Sequence, residues 1–377
     1  METLNLLLSA VVGFLFVLTV VVFVHELGHF LVARWCGVAV RTFSIGFGRE
    51  IFGFYDRHGT RWRVAWIPLG GYVKFIDDEN AASAGQQSLE ALPEEMRERS
   101  FQAKSLGKRA AIVAAGPIAN FIFAILIFTM IFSVFGERIT AAKVDEVTPG
   151  SAAERAGFLA GDVVISIDGT EIDDFGDMQR IVSASPDQAL RFTVHRDGNT
   201  VELTATPERK EIKDQFGNMI RLGQLGIRRS ATADDWTLER HDPGTAFVKA
   251  VEECIFVVTR TFGYLGKVIT GRESADQLGG PIRIAQLSGQ VATLGVLPML
   301  SFVAYISISI GLINLFPIPI LDGGHLLFYA IEAVRGKPLS ESAQEIGFRV
   351  GLAFILMLMI FVTWNDVSRL VSKIVGA

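Results

Sequence analysis

The stretch VVFVHELGHFLVARW, residues 21–35, determines how this chain is interpreted. It closes a long apolar run that begins near Leu4, and it places two histidines and a glutamate inside that run. Ionisable side chains at membrane depth cost about 2.5–3.5 kcal/mol each on insertion scales, and where they occur they mark functional sites. The stretch therefore indicates a functional site within a membrane-spanning helix.

The composition fits a membrane domain joined to one soluble module. Half of the 377 residues are hydrophobic, and the formal net charge is −5, which gives no indication of a nucleic-acid partner. The two cysteines, Cys36 and Cys254, are expected on opposite sides of the bilayer, so no disulfide framework is predicted. Residues 1–24 lack a basic start and a small-residue cleavage site, so a retained membrane helix is predicted instead of a cleaved signal peptide.

Four segments have the roughly 20 apolar residues that a spanning helix needs. They run from about Leu4 to Ala33, over 110–135, from about Leu294 to Ile320, and over about 347–364. The loop between the first two is rich in arginine and lysine, so the positive-inside rule predicts that it is cytoplasmic. The N-terminus and the long 137–290 segment then lie on the opposite side.

The two long connections have different local patterns. Residues 60–75 predict strand, turn and strand, with edge positions of that 61–75 hairpin, such as Val64 and Val73, open to pairing with a further strand. Residues 77–100 predict a solvated linker with a short helix. Beyond the second span, residues 140–230 predict one α+β module with a hairpin turning at Asp197-Gly198. Residues 244–271 predict an amphipathic surface or interfacial helix.

The histidine spacing predicts a zinc site. His25 and His29 are four residues apart, so a helix places both imidazoles on one face, where they can bind a single zinc ion. Glu26 is then aimed at a metal-bound water, the arrangement of an H-E-x-x-H metalloprotease. The alternative is a pair of buried histidines satisfied by neighbouring polar groups.

A third ligand is expected, because catalytic zinc usually has three protein ligands and one open position. Asp322 is the strongest candidate; it lies in GLINLFPIPILDGGH, residues 311–325, where Pro317 and Pro319 cannot continue a helix. The alternative for Asp322 is a turn or N-cap carboxylate. Asn314 can donate a hydrogen bond to a developing oxyanion. His325, beyond the two glycines, is a poorer ligand candidate.

HELGH, AGPIAN and NLFPIPILDGG together resemble the site-2 protease family of intramembrane zinc metalloproteases, in particular its bacterial branch that regulates the sigma-E response. The resemblance implies that His25, His29 and Asp322 bind one Zn²⁺, with Glu26 as general base. It also implies that Asn314 and the segment from Pro317 to Pro319 hold the substrate. SIGFG and PLGGYVKF resemble the membrane-associated β-loop of that family, and its characteristic glycines would be Gly46, Gly48, Gly70 and Gly71.

The outer module resembles a PDZ domain of the circularly permuted bacterial type. In that arrangement QLGI supplies the peptide-binding residues, Leu225, Gly226 and Ile227. The best-known members of the branch carry two such modules in tandem, whereas this chain has room for one. The alternative is a folded spacer that binds no carboxyl terminus.

The resulting fold class is an α-helical polytopic membrane protein with a membrane-associated β-hairpin loop and an inserted extracytoplasmic PDZ domain. The expected segments are a first span at 1–36, a β-loop and linker at 37–107, a second span at 108–136, a PDZ domain at 137–230, an amphipathic region at 231–290, a third span at 291–330, a cytoplasmic connection at 331–346, and a fourth span and tail at 347–377.

The function that the resemblance implies is cleavage of single-pass membrane proteins, either an anti-sigma factor or signal-peptide remnants, in the bacterial inner membrane. The active site would lie near the cytoplasmic side and the PDZ domain in the periplasm, with lipid as the other partner. A membrane-anchored PDZ scaffold with a silent zinc site is one alternative. A zinc-dependent transporter is disfavoured, because the four spans show no internal repeat.

Overall fold

The computed structural model describes residues 2–78, 93–213, 219–230, 235–275 and 278–375. The chain forms two compact units, one made of Met1–Thr129 with Phe247–Ala377 and the other of Met130–Ala246. The larger part of the expected linker, residues 79–92, lies outside the described residues.

The helices of the described part are α1 (Glu2–Trp35), α2 (Glu94–Arg97), α3 (Leu106–Met130, continued by a π-helical turn over Ile131–Phe135), α4 (Ala152–Ala156), α5 (Phe175–Ala184), α6 (Pro243–Ile269), α7 (Pro281–Thr293), α8 (Val296–Asn314), α9 (Asp322–Arg335) and α10 (Glu341–Val375). Its strands are β1 (Val40–Tyr55), β2 (Arg61–Phe75), β3 (Glu137–Ile139), β4 (Glu146–Val147), β5 (Val163–Ile167), β6 (Thr170–Glu171), β7 (Leu190–Arg196), β8 (Asn199–Ala205), β9 (Glu208–Lys213), β10 (Met219–Gln224), β11 (Ile227–Arg228) and β12 (Thr237–Glu239).

Four helices of the described part are long and apolar enough to cross a membrane, which confirms the predicted number of spans. They are α1, α3, α8 and α10. The third span is shorter than expected, because α8 ends at Asn314 and the proline-containing segment after it is not helical. At a rise of 1.5 Å per residue, the 34 residues of α1 extend about 51 Å, and HELGH lies in its last third.

The sheet next to α1 is built differently from the expected 61–75 hairpin. β2 is one strand of 15 residues, and it pairs with β1. The first part of β1 pairs twice, since Phe43 faces Val73 on one side and Trp62 on the other. Val64 also has partners on both sides, Ile45 and Phe52, so the expectation that it lies at an edge is wrong.

The edge of this sheet lies instead at the end of β2. Residues 71–75 pair only with the start of β1, among the partners that the structure describes. The core below them contains Phe30 and Ala33 of α1, Phe43, Val73 and Ile112 of α3. The sheet is therefore fixed to the same two helices that carry HELGH and AGPIAN.

The glycines expected in the β-loop occupy positions that require glycine. Gly46, Gly48 and Gly70 have φ values of 87°, 86° and 128°, which side-chain-bearing residues rarely adopt. A Cβ on Gly46 would also lie 2.7 Å from the carbonyl oxygen of Ile67. These glycines therefore allow the strong bend that folds the hairpin back on itself.

A carboxylate stabilises the turn between β1 and β2. Asp56 pairs with Arg34 at 2.6 Å and accepts hydrogen bonds from the backbone N–H groups of His58 and Thr60 and from the Trp62 indole. Burial alone would raise the pKa of Asp56, but these donors outweigh it and hold the pKa at about 2. Since Arg34 belongs to α1, the charged carboxylate ties the hairpin turn to the end of the HELGH helix.

The expected amphipathic helix forms as α6, and one of its faces packs against α8. Ala250 is fully buried, and the Tyr305 hydroxyl of α8 donates to the Glu253 carboxylate at 2.9 Å. Further along, the ring of Phe262 packs against Phe316, with centroids 5.9 Å apart. The small side chain of Ala250 and the hydrogen bond between Tyr305 and Glu253 permit this close packing. The composition of α6 alone predicted an interface but not its partner.

Helix α7 packs tightly against α1. A Cβ on Gly289 would lie 2.7 Å from the Ala10 Cα, and one on Gly13 would lie 3.1 Å from the Ser288 carbonyl oxygen. The start of α7 is capped from α10: the buried carboxylate of Asp366 accepts from the backbone N–H groups of Gly280 and Arg283, both at 3.0 Å. Asp366 thus satisfies orphan donors that a helix start always leaves.

The second unit has the α+β content expected from its sequence. Its largest sheet has the order β6-β5-β7-β8, and α5 begins at a side-chain cap from Asp174. The expected hairpin is β7–β8, and Asp197 and Gly198 both have positive φ, 47° and 83°, as a two-residue hairpin turn requires. Inside, Arg196 holds the fully buried Asp162 carboxylate at 2.6 Å, which helps to keep the pKa of that carboxyl low although burial alone would raise it.

Replacing Asp366 should destabilise the first unit. Asp366→Ala removes the cap of α7, and loss of a cap costs about 1 kcal/mol, up to about 2. We expect a lower midpoint of thermal unfolding for the purified protein in detergent, and a smaller decrease for Asp366→Asn, because asparagine also caps helices. Glu345→Ala, on the exposed part of the same helix, is the matched control and should leave the midpoint nearly unchanged. Equal midpoints for Asp366→Ala and Glu345→Ala would contradict the capping role.

Candidate metal centre

The two histidines of HELGH meet as their spacing predicts. His25 and His29 lie one turn apart on α1, and their Nε2 atoms are 3.3 Å from each other. The Nδ1 atom of His29 lies 2.8 Å from the carbonyl oxygen of Ile112 on α3. A proton on Nδ1 can therefore be donated to that carbonyl, which leaves Nε2 free to bind a metal.

Asp322 joins the two histidines from a position almost 300 residues later. Its Oδ2 atom lies 3.1 Å from Nε2 of His25 and 3.5 Å from Nε2 of His29. Asp322 is the first residue of α9, and the carbonyl oxygens of Leu315 and Phe316 pack so closely behind it that a Cβ on Gly323 would lie 2.3 Å from each. The two glycines after Asp322 therefore let α9 start directly against the segment that follows α8.

The three atoms form the triangle that a tetrahedral zinc requires. Zinc bonds of about 2.0–2.1 Å to nitrogen or oxygen place neighbouring ligand atoms about 3.3–3.4 Å apart. The observed separations of 3.1, 3.3 and 3.5 Å bracket that value. Asp322 Oδ2 is also buried without a hydrogen-bond partner of acceptable geometry, and such an orphaned carboxylate oxygen is costly unless a cation satisfies it. The donor set thus fits Zn²⁺.

Glu26 lies between this triangle and the edge of the sheet. Its carboxylate accepts a hydrogen bond from the backbone N–H of Val73, in the edge segment of β2. A Cβ on Gly71 would lie 3.1 Å from the Glu26 Cγ, so the absence of a side chain there makes room for the glutamate. The arrangement places an orienting donor on the expected general base.

The residues expected to hold substrate lie in the segment between α8 and α9. Asn314 ends α8, and its side-chain N–H donates to the Ile310 carbonyl oxygen at 3.0 Å. Pro317 and Pro319 belong to the irregular segment that follows. Pro319 packs into α10, since a Cβ on Gly351 would lie only 1.8 Å from its carbonyl oxygen. This segment leads directly into Asp322.

His325 does not contribute to the ligand triangle. The group of metal-binding side chains found among the described residues contains His25, His29 and Asp322. The His325 ring instead packs against Phe348 of α10, with centroids 5.4 Å apart.

Two residues of α3 that the sequence analysis left without a role also belong to the centre. A Cβ on Gly116 would lie 2.3 Å from His29 Nε2 and 2.9 Å from His25 Cε1, so this glycine keeps the metal position open. Asn120 is fully buried, with its side-chain amide 3.3 Å from His25 Nδ1. Both residues belong to the AGPIAN motif, and a polar asparagine within an apolar helix is a sequence feature that points to a functional site.

The expected peptide-binding residues of the second unit line a surface pocket. Leu225, Gly226 and Ile227 form one wall, and Met178 and Val182 of α5 form another. Gly226 has a φ of 85°, and a Cβ there would lie 2.3 Å from the Ser151 Cβ, so glycine is required at this bend. The pocket is compatible with a bound peptide.

Comparison with known proteins gives consistent matches over most of the chain. The model of peptidase family M50 matches residues 13–358. A protein of Agrobacterium fabrum named as a zinc metalloprotease is 49% identical over 99% of this chain and 99% of its own. Metalloprotease MmpA of Caulobacter vibrioides is 43% identical over 98% of each chain. Regulator of sigma-E protease RseP of Escherichia coli is 33% identical over 95% of this chain and 98% of its own.

The RseP alignment extends over 455 positions, which exceeds the 377 residues of this chain. RseP therefore carries additional residues relative to this chain.

Filling the space at Gly116 should weaken metal binding. Gly116→Ala places a methyl group within 2.3 Å of His29 Nε2, where the metal must be accommodated. We expect zinc affinity, measured by competition with a chelator, to fall by about tenfold or more, which is typical when the residues that orient a metal ligand are disturbed. Gly107→Ala, in the first turn of the same helix with no atom near its added Cβ, is the control and should bind zinc normally. Normal zinc binding by Gly116→Ala would show that the metal lies elsewhere.

Proposed function

The chain belongs to peptidase family M50, and we propose that this multi-pass membrane zinc metalloendopeptidase hydrolyses peptide bonds within the transmembrane segments of single-pass proteins. The observation that carries this proposal is the ligand triangle of His25, His29 and Asp322, formed between α1 and α9 at the end of a candidate span. Its side chains cost free energy in an apolar domain, and a metal bound for catalysis offsets that cost.

His25, His29 and Asp322 would hold the metal. A Zn²⁺ ion bound there would supply Lewis-acid chemistry, which can lower the pKa of water to about 7. Glu26, oriented by the Val73 N–H, takes a proton from the attacking water and later passes it to the leaving amine.

Asn314 stabilises the negative charge that develops on the scissile carbonyl oxygen. An amide side chain carries two N–H donors, so one can stay on the Ile310 carbonyl while the other turns to the substrate. Such donors act most strongly where water is excluded. The neighbouring segment from Pro317 to Pro319 then holds the substrate backbone.

The substrate must unwind before cleavage, because a helix uses its own carbonyls in internal hydrogen bonds. We assign the replacement partner to the edge of β2 at residues 71–75, which lies beside Glu26. An unwound substrate segment would add to this edge as a further strand, and backbone hydrogen bonds would hold it extended. Extended backbone exposes the carbonyl that water attacks.

The proposal also assigns the membrane topology of the chain and a role to the α+β module. We assign the metal centre to the cytoplasmic side of the inner membrane and the α+β module to the periplasm, and the basic loop before α3 supports this assignment. We assign that module as one PDZ domain, which senses the end of a substrate already trimmed outside; the pocket at Leu225, Gly226 and Ile227 supports this role. The RseP relative favours anti-sigma factors as substrates, with signal-peptide remnants as a second class.

Glu26→Gln separates catalysis from metal binding. Glutamine keeps the size of the side chain but cannot accept the proton, so we expect zinc content to be unchanged and cleavage of a transmembrane model peptide to fall by about 10²–10⁴-fold. Asp322→Asn should instead lose both zinc and cleavage. Full cleavage by a zinc-loaded Glu26→Gln protein would exclude Glu26 as the base, and indifference to both changes would favour a scaffold.

Strand addition predicts a two-residue periodicity in the substrate. In a paired strand, the N–H groups of alternate residues point to the partner. Model peptides N-methylated at single positions next to the scissile bond should therefore lose turnover at alternate positions and keep it at the positions between. A peptide methylated far from the bond is the control. A smooth decrease with no alternation would contradict strand addition while leaving the metal chemistry intact.

A further inference from the structure

Asn120 is a buried amide beside a metal ligand. It lies on α3 with no exposed surface, and its Nδ2 atom is 3.3 Å from Nδ1 of His25. Its backbone carbonyl oxygen accepts from the Ser307 hydroxyl at 2.9 Å, and Gly311 of α8 lets that helix approach the Asn120 Cβ closely. The side chain is thus held between α1 and α8 with little room to move.

A histidine that binds metal through Nε2 carries its proton on Nδ1, and that N–H needs an acceptor. His29 has such an acceptor in the Ile112 carbonyl oxygen, at 2.8 Å. For His25, the polar group next to Nδ1 is the Asn120 amide. The amide therefore has to accept a hydrogen bond when Nε2 of His25 is a ligand.

The orientation of the amide has a chemical consequence. With Nδ2 toward His25, two N–H donors would face each other, while Oδ1 of Asn120 is buried without any hydrogen-bond partner. The nitrogen and oxygen of an asparagine amide are nearly equal in size, and their assignment follows from the hydrogen-bond network. Exchanging them gives Oδ1 the donor that it lacks and removes the contact between donors.

We propose that Asn120 is a positioning residue that accepts the Nδ1–H of His25 through its Oδ1. This bond fixes the tautomer and the ring orientation of His25, so that Nε2 points at the metal. The inference rests on the zinc-binding role of His25 in the proposed function. It gives α3 a supporting part in the metal centre, through a side chain that touches neither the metal nor the substrate.

The test compares zinc affinity, by chelator competition at equilibrium, in full-length protein purified in detergent. Asn120→Leu keeps most of the side-chain volume but has no acceptor, so affinity should fall by about 10- to 100-fold, the usual effect of losing the partner of a metal-bound histidine. Asn120→Asp presents an oxygen in either orientation and should retain at least the parent affinity. Ser309→Ala is the control and should leave the affinity unchanged, because the Ser309 hydroxyl only donates to the Tyr305 carbonyl oxygen within α8.

The outcomes separate this inference from the proposed function. A zinc-binding parent protein whose Asn120→Leu variant binds zinc equally well would overturn the positioning role alone. Equal losses in Asn120→Asp and Asn120→Leu would overturn it too, since a merely structural role is not rescued by an acceptor. A parent protein that binds no zinc would overturn both the positioning role and the proposed function.

Discussion

A buried carboxylate oxygen facing two imidazole nitrogens is the feature on which the rest of this membrane domain depends. Asp322 Oδ2 has no hydrogen-bond donor of good geometry, and both His25 and His29 present Nε2 to it within 3.5 Å. A cluster of this kind is costly in an apolar interior unless a metal completes it. The ligand positions must therefore be held by rigid packing, because a loose cluster would neither bind zinc nor satisfy its own polar atoms.

That rigidity comes from backbones that approach each other without side chains between them. Gly28 brings α1 to within van der Waals distance of the Ala115 carbonyl on α3, and Gly116 keeps the metal position open from the other side. Gly351 of α10 receives the Pro319 carbonyl in the same way. Membrane helices gain no hydrophobic driving force from association in lipid, so close van der Waals contact at small residues is what stabilises such an assembly.

Local patterns in the sequence predicted the elements, whereas long-range contacts decided their roles. The i, i+4 spacing of His25 and His29, the number of spans and the Asp197-Gly198 turn each depend on neighbouring residues, and the structure agrees with all three. The Gly70-Gly71 pair suggests a local turn, but Gly71 lies within β2 and pairs with Ile45 of β1, 26 residues earlier, which no short pattern shows.

The difference between local patterns and long-range contacts also explains why the sequence revealed Asp322 but not the roles of Gly116 and Asn120. Asp322 could be found because few carboxylates lie in apolar sequence, and the two prolines before it predict irregular backbone. The roles of Gly116 and Asn120 depend on which ring atoms they face, and only the packing of α3 against α1 specifies that. For α6, composition alone could not show that Glu253 finds the Tyr305 hydroxyl.

Strain in the segment before Asp322 follows from the same need for a fixed ligand. Ile320 has a φ of 104°, a conformation that costs a β-branched residue about 1–3 kcal/mol and persists only where the surroundings impose it. The surroundings here are α10, which packs against Pro319, and the glycines that let α9 start against Leu315 and Phe316. The chain thus accepts strain in the backbone before Asp322 to fix the position of one carboxylate.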